Sequence, residues 1–407
     1  MGQDGERGRR KARARSRRQW WRIRVFRVLY AGKLPEEDDR LSVREVLGRD
    51  KVKKFLFELN KKPRSKEQIF AENLVPIEDF DDAYKVGLIK EDGGIFYPTF
   101  PIFTADEVRI LENVCTEMSV RIGSVIKGQW PSIHDFLEKI ASYPIFDKPM
   151  MTYFLLGSFV LDISMKRLLS KHGMLILPTE TPLGYIYFGI DNSAQFPMLH
   201  DTTKVETAKY GVFISFGKDI SGLKDITAIR RHLETQLKKV VRGQDTVNFY
   251  SLLRHYIQGM FDDMSAVMAR VIYLSEDWDR LRAYVGLSEM HFWDLIDFMK
   301  QMGYVDSVPG KVMGTVPVIL PSDTKYISDM AGFVGSLALP PIEATIQTYW
   351  GELSSMSAFQ HPTVNDMWIY YLMWIRTFPR VLEYLEREGI LSMPEEGYVK
   401  AFMKIER

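Results

Sequence analysis

Apolar positions recur at helical spacing from Asp50 onward, with Val52, Phe55, Leu56 and Leu59 forming one stripe. Lys61 to Arg64 reads as a turn, and Ser65 is placed to cap a second helix running through Ala71, with Ile69 and Phe70 inward. Pro76 opens a third helix that carries Ile77, Phe80, Ala83 and Tyr84 on one face. Gly87 ends it. Leu88 and Ile89 begin a strand, Asp92-Gly93-Gly94 supplies a hairpin turn, and Ile95 to Phe103 returns.

A second stretch repeats that order: Trp278 to Val285, a helix from Ser288 to Met302, Gly303, Tyr304-Val305, a Pro309-Gly310 turn and Met313 to Leu320. Shifting the chain by 216 residues superposes Gly87 on Gly303, Gly94 on Gly310, Thr99 on Thr315 and Pro101 on Pro317. The same ungapped shift brings Leu169, Gly173, Leu175, Pro178 and Glu180 onto Leu385, Gly389, Leu391, Pro394 and Glu396. Two blocks of identities at one offset predict an internal duplication.

Three helices followed by a strand-turn-strand wing, with Gly-Leu-Ile before an acidic glycine turn and Ile-Phe-Tyr after it, resemble the winged helix-turn-helix superfamily over residues 46–103. The resemblance is one of fold. It implies a third helix that enters a DNA major groove and a wing set against phosphates.

Between the two stretches, Met174 to Leu177, Tyr185 to Ile190 and Tyr210 to Phe216 are β-rich. Ile226, Ile229, Leu233, Leu237 and Val240 then mark a helix whose other face is Arg230, Arg231, Lys238, Lys239 and Arg242, and a long helix follows from Val247 to Leu274. The expected fold class is α+β, predominantly α, with tandem winged-helix-like modules joined by short β-hairpins and helical connectors. The expected division is a basic disordered tail (1–40), a winged-helix-like domain (41–103) and a helical connector with a second helix-strand unit (104–190). A β-rich insert with the basic helix (191–245), a second winged-helix-like domain (246–320) and a helical C-terminal region with a terminal hairpin (321–407) complete it.

Charge changes the picture at one end. The net charge of +1 is the sum of +10 over residues 1–34, which hold ten Arg and two Lys against Asp4 and Glu6, and −9 over the rest. Arg7 to Arg18, followed by Trp20 and Trp21, could neutralise phosphates and stack on bases. No Met stands between Met1 and Met118, and regular patterning begins near Leu41, so a translation start near Leu41 or Val43 from a non-standard codon is expected. The longest apolar runs, Tyr153 to Leu161 and Met367 to Ile375, are about half of a bilayer span. The single cysteine, Cys115, permits no internal disulfide and fits a reducing, cytoplasmic setting; its neighbours at helical spacing mark it as buried.

Candidate chemistry is sparse. Gly184 to Gly189 has the first spacing of a phosphate loop, but Ile190 stands where lysine is required. His134 with Glu138 and His291 with Asp294 each offer two groups on one helix face, too few for a closed metal site. His200-Asp201, in the long link 191–209, is the best isolated pair, and turn formation explains it equally well. No catalytic residue, metal or cofactor is assigned.

The presumptive recognition helix is acidic, with Glu78, Asp79, Asp81 and Asp82 against Lys85, and its counterpart carries Glu289, Asp294 and Asp297 against Lys300. Contacts to double-stranded DNA would then fall to Lys61, Lys62, Arg64 and Lys66 or to Arg230, Arg231, Lys238 and Lys239. The expected function is that of a non-enzymatic, DNA-associated transcription regulator of the winged-helix type; the alternative is a tandem winged-helix scaffold that binds proteins through acidic and aromatic surfaces.

Overall fold

A computed structural model of the chain describes residues 26–32, 41–196, 202–206, 211–217, 228, 230–231, 234–235, 246–273, 278–308, 311–395 and 397–404. The fold is α+β and predominantly α. Strand β1 (Phe26–Gly32) precedes four helices, α1 (Val43–Gly48), α2 (Asp50–Lys61), α3 (Lys66–Ala71) and α4 (Ile77–Lys85), and then β2 (Ile89–Asp92), β3 (Ile95–Pro98) and β4 (Ile102–Phe103). Next come α5 (Ala105–Gly128), α6 (Trp130–Leu137), α7 (Lys148–Phe154), a π-helical stretch Leu155–Ser164, α8 (Met165–Lys171), β5 (Tyr185–Asp191), β6 (Thr203–Glu206) and β7 (Gly211–Gly217). The remainder is α9 (Thr246–Tyr273), α10 (Trp278–Val285), α11 (Glu289–Gln301), β8 (Val305–Val308), β9 (Lys311–Gly314), β10 (Val318–Ile319), α12 (Asp323–Ser354), α13 (Ser357–Gln360), α14 (Asp366–Arg387) and β11 (Tyr398–Lys404). Among the described residues no helix is long and apolar enough to cross a membrane.

Local chemistry accounts for the helix starts. Ser42 caps α1, Ser288 caps α11, and Ser65 forms a reciprocal capping box with Gln68 at α3. Pro76 is the cap residue of α4 rather than its first helical residue.

Compactness does not follow the linear order of segments. One unit gathers Met1–Met118, Lys166–Met198 and Pro341–Thr377; the other gathers Ser119–Met165, Leu199–Pro340 and Phe378–Arg407. Boundaries fall inside α5, α8, α12 and α14, so each of these helices contributes residues to both units.

In the first unit, β1-β5-β4 form a sheet, with β1 antiparallel to β5 from Phe26↔Asp191 to Gly32↔Tyr185 and β4 parallel to it. Phe26, Phe55, Leu56, Phe80, Phe100 and Tyr187 belong to one buried core that joins this sheet to α2 and α4. The segment expected to be a disordered tail therefore contains a core strand. A Cβ on Gly189 would stand 2.9 Å from the Phe26 ring and 3.1 Å from Ile102, so β5 closes onto both neighbours only with glycine there.

In the second unit the sheet order is β10-β11-β7-β6. Its core unites Phe261, Met264 and Met268 of α9 with Phe292, Ile296 and Met299 of α11 and Phe402 of β11. Among the described residues no terminal hairpin forms: β11 pairs in parallel with β10 and antiparallel with β7. Met174–Leu177, expected to be β-rich, is not a strand.

Hydrogen bonds recur at the 216-residue offset. Gly87 and Gly303 both have positive φ, 75° and 66°, and their carbonyls accept from the hydroxyls of Thr99 and Thr315 at 2.5 and 2.6 Å. Leu88 N donates to Ala83 O at 2.8 Å, as Tyr304 N does to Met299 O at 2.8 Å. Thr104 N donates to Glu107 at 2.8 Å and Leu320 N to Asp323 at 3.0 Å. The other oxygen of Glu107 accepts from Ser357 N at 2.6 Å, and that of Asp323 from Ala141 N at 3.0 Å. Residues 357 and 141 are again 216 apart, so each buried carboxylate holds a backbone amide beyond the opposite half's long helix, at the start of α13 and in the turns after α6.

Candidate functional site

Helix α4 divides its acids by where its neighbours stand. Phe80 and Ala83 are buried, while Asp79 and Asp82 turn toward the α1–α2 junction, where Arg49 Nη1 donates to them at 3.0 and 2.7 Å. Arg49 Nη2 also reaches Glu45 at 3.4 Å. This cluster raises the Arg49 pKa, chiefly through the Asp82 and Asp79 hydrogen bonds, and engages two of the four carboxylates while offsetting one of their charges. Glu78 and Asp81 remain exposed. Ile77 and Tyr84, expected inward with Phe80, are 64% and 51% exposed. The helix is too short, and its core contact too narrow, to bury a stripe of four.

Helix α11 presents matching chemistry at the same offset. Trp293 occupies the position of Ile77, Asp294 that of Glu78 and Asp297 that of Asp81, and all six are exposed. Met290, 67% exposed, widens the apolar part. The Trp293 ring lies 5.3 Å from both Trp278 and Phe292, and the residue stays 38% exposed. Lys300 stands 5.8 Å from the Trp278 ring. Each face is thus an exposed apolar side chain flanked by two carboxylates within one and a half turns.

The cationic candidates are largely engaged. Lys61 donates to Glu58 at 3.0 Å and lies 4.3 Å from the Phe57 ring. Arg64 pairs with Glu72 at 3.2 Å while its carbonyl accepts from Phe96 N, tying the α2–α3 turn to the hairpin. Lys66 stands 5.5 Å over Phe80, and Lys62 is exposed. Arg230 donates to Glu234 at 2.9 Å and Arg231 is exposed; Lys238 and Lys239 lie outside the described residues. The α2–α3 group and the Arg230 group belong to different units.

The other candidates resolve into structural roles. Glu138 accepts from Lys148 at 2.6 Å and stands 3.3 Å from His134 Nε2, a surface ion cluster. His291 and Asp294 are both exposed, and the His291 backbone amide meets the capping Ser288 hydroxyl. No group of three metal-ligating side chains occurs among the described residues. His200 and Asp201 lie outside them, although Thr202 N beside them donates to the buried Asp162 at 2.8 Å. Cys115 is buried, its thiol pushed up to about 11 by desolvation, which suppresses the thiolate.

One polar constellation has no sequence signal, because its members are up to 301 residues apart. His361 Nε2 stands 3.0 and 3.1 Å from the backbone and side-chain oxygens of Asn60, both acceptors, so that nitrogen carries the proton. Asn60 in turn donates to Ile102 O and Ser357 Oγ, and Ser357 Oγ donates to Glu107. Burial lowers the His361 pKa. Together these bonds clamp α2 to β4, to α5 and to the segment from Ser357 to His361. An apolar cavity of about 20 Å³ among Met118, Leu169, Leu175, Ile342 and Trp374 holds little more than one water-sized body.

No protein-family description, curated protein or solved structure matches the chain.

Proposed function

We propose that the chain is a non-enzymatic scaffold of two winged-helix-like modules, related by internal duplication, that binds basic, apolar-bearing protein segments on α4 and α11. The observation that carries this reading is the repeated exposed set: Ile77, Glu78 and Asp81 in one half, Trp293, Asp294 and Asp297 in the other. The buried Phe80 and Ala83 give way to Ile296 and Met299, while an apolar and two acidic side chains are kept at three exposed positions, which core packing does not require. Carboxylates beside an uncovered aromatic or aliphatic group repel phosphate and attract cationic side chains with apolar stems. The shared bonds at Gly87 and Gly303 and at Glu107 and Asp323 support the duplication.

DNA-associated regulation is the second reading, favoured by exposed Lys62, Lys66 and Arg231. Binding assays on a full-length variant with the ten cationic residues of 7–24 changed to Gln separate the two. The scaffold reading expects a labelled lysine-leucine amphipathic peptide to bind and to lose affinity in Ile77→Ala/Trp293→Ala. It expects a labelled DNA duplex to bind no tighter than about micromolar, with all binding abolished by moderate salt. Sub-micromolar duplex binding that falls when Arg230 and Arg231 become Ala, with no peptide binding, overturns it.

A further inference from the structure

We infer that the natural occupant of the α4 face is the chain's own basic segment, residues 7–24, and that the α11 face, through Trp293, Asp294 and Asp297, is a second site open to another such basic segment. This rests on the docking-face reading above. Residues 7–24 hold nine Arg and Lys11, no acid, and the pair Trp20-Trp21. That composition complements Glu78 and Asp81 by charge, Ile77 by apolar contact and Tyr84 by guanidinium stacking on its exposed ring. The rest of the chain, at −9, adds a long-range field of the right sign.

Connectivity favours α4 as the site filled in cis. The segment ends two residues before Phe26, the first residue of β1. Phe26 lies 6.3 Å from Phe57 on α2, and Phe55 on the same helix lies 6.1 Å from Phe80 on α4, so strand and docking helix share one core. Eighteen extended residues span about 60 Å, well beyond what that core requires. A tether of this length holds the segment at about millimolar effective concentration, enough to fill a site that a free peptide occupies only at micromolar levels.

The test is a calorimetric titration with a synthetic peptide of residues 7–24. Into the full-length chain it should bind at one site; into the full-length variant with those ten cations changed to Gln it should bind at two. In that variant, Glu78→Lys/Asp81→Lys should remove one site and Asp294→Lys/Asp297→Lys the other, each with affinity about tenfold or more lower. These side chains are exposed, so the reversals leave the fold intact. One or no site in the neutral-tail variant, or sites indifferent to the reversals, overturns the inference. If the lysine-leucine peptide binds and the 7–24 peptide does not, the occupant is wrong and the docking faces stand; if neither binds, both fall.

Discussion

Phe26→Ala probes whether the arginine-rich amino-terminal region is part of the fold. Phe26 is 1% exposed, with Phe57 and Phe100 rings 6.3 and 6.2 Å away and Gly189 backed against it. Truncation removes the whole ring and leaves a void that β5 cannot fill, because β5 is held by β4 on its other edge. Such replacements cost about 3–5 kcal/mol, a large fraction of the stability of an ordinary domain. A larger perturbation is deletion of residues 1–40, which strips β1 and exposes one edge of β5 along seven paired residues. Native-state hydrogen exchange reads both locally, in Tyr185–Asp191, without assuming that two interleaved units unfold as one. Exchange there should accelerate by about a hundredfold or more in Phe26→Ala, and the deletion should lose protection across β5 altogether. A chain begun at Leu41 with β5 protection unchanged would refute the placement of β1 and restore the reading of residues 1–40 as a dispensable tail.

Two further outcomes follow from buried groups. His361 is neutral in the folded chain with its pKa lowered by burial, whereas the unfolded chain protonates it near the ordinary value of 6.5. Stability from this residue is therefore present above that value and is lost as pH falls below it; His361→Gln should flatten this part of the pH dependence in denaturant titrations, and an unchanged slope would exclude the clamp. In the π-helical stretch, a Cβ on Gly157 would stand 2.4 Å from the Phe216 ring. Gly157→Ala should cost about 1–3 kcal/mol and regain part of it in the double variant with Phe216→Leu, whereas additive losses in thermal denaturation would contradict the contact.

Much of the fold was legible because it rests on local signals. Ser65 with Gln68, Gly87 before its strand and the Asp92-Gly93-Gly94 turn name their own conformations, and the 216-residue offset is visible wherever glycine and proline fix the backbone. β1 was hidden by charge. Its Arg27 reads as tail, yet its guanidinium donates to Phe196 O at 2.7 Å, and the alternation of Phe26, Val28 and Tyr30 is too short to outweigh the run of arginines before it. The assignment of 119–165 and 341–377 to opposite units was invisible for another reason: Glu107 with Ser357 and Asp323 with Ala141 are paired across 250 and 182 residues, and periodicity reports only neighbours. The candidate faces were half legible. The acids on α4 and α11 stand in the sequence, but the inward-looking spacing of Ile77 and Tyr84 concealed that both are exposed, and only Arg49 reveals which acids are already paired.

Carboxyl footprinting of the neutral-tail chain, with and without the peptide of residues 7–24, tests the docking faces most directly. Carbodiimide coupling of an amine labels exposed carboxylates, and mass spectrometry reads each one. Glu78, Asp81, Asp294 and Asp297 should all lose labelling when peptide is added, while Asp106 on α5, exposed at 82%, should not. Labelling of the four that is unaffected by peptide, or protection spread evenly over all exposed acids, would contradict the account.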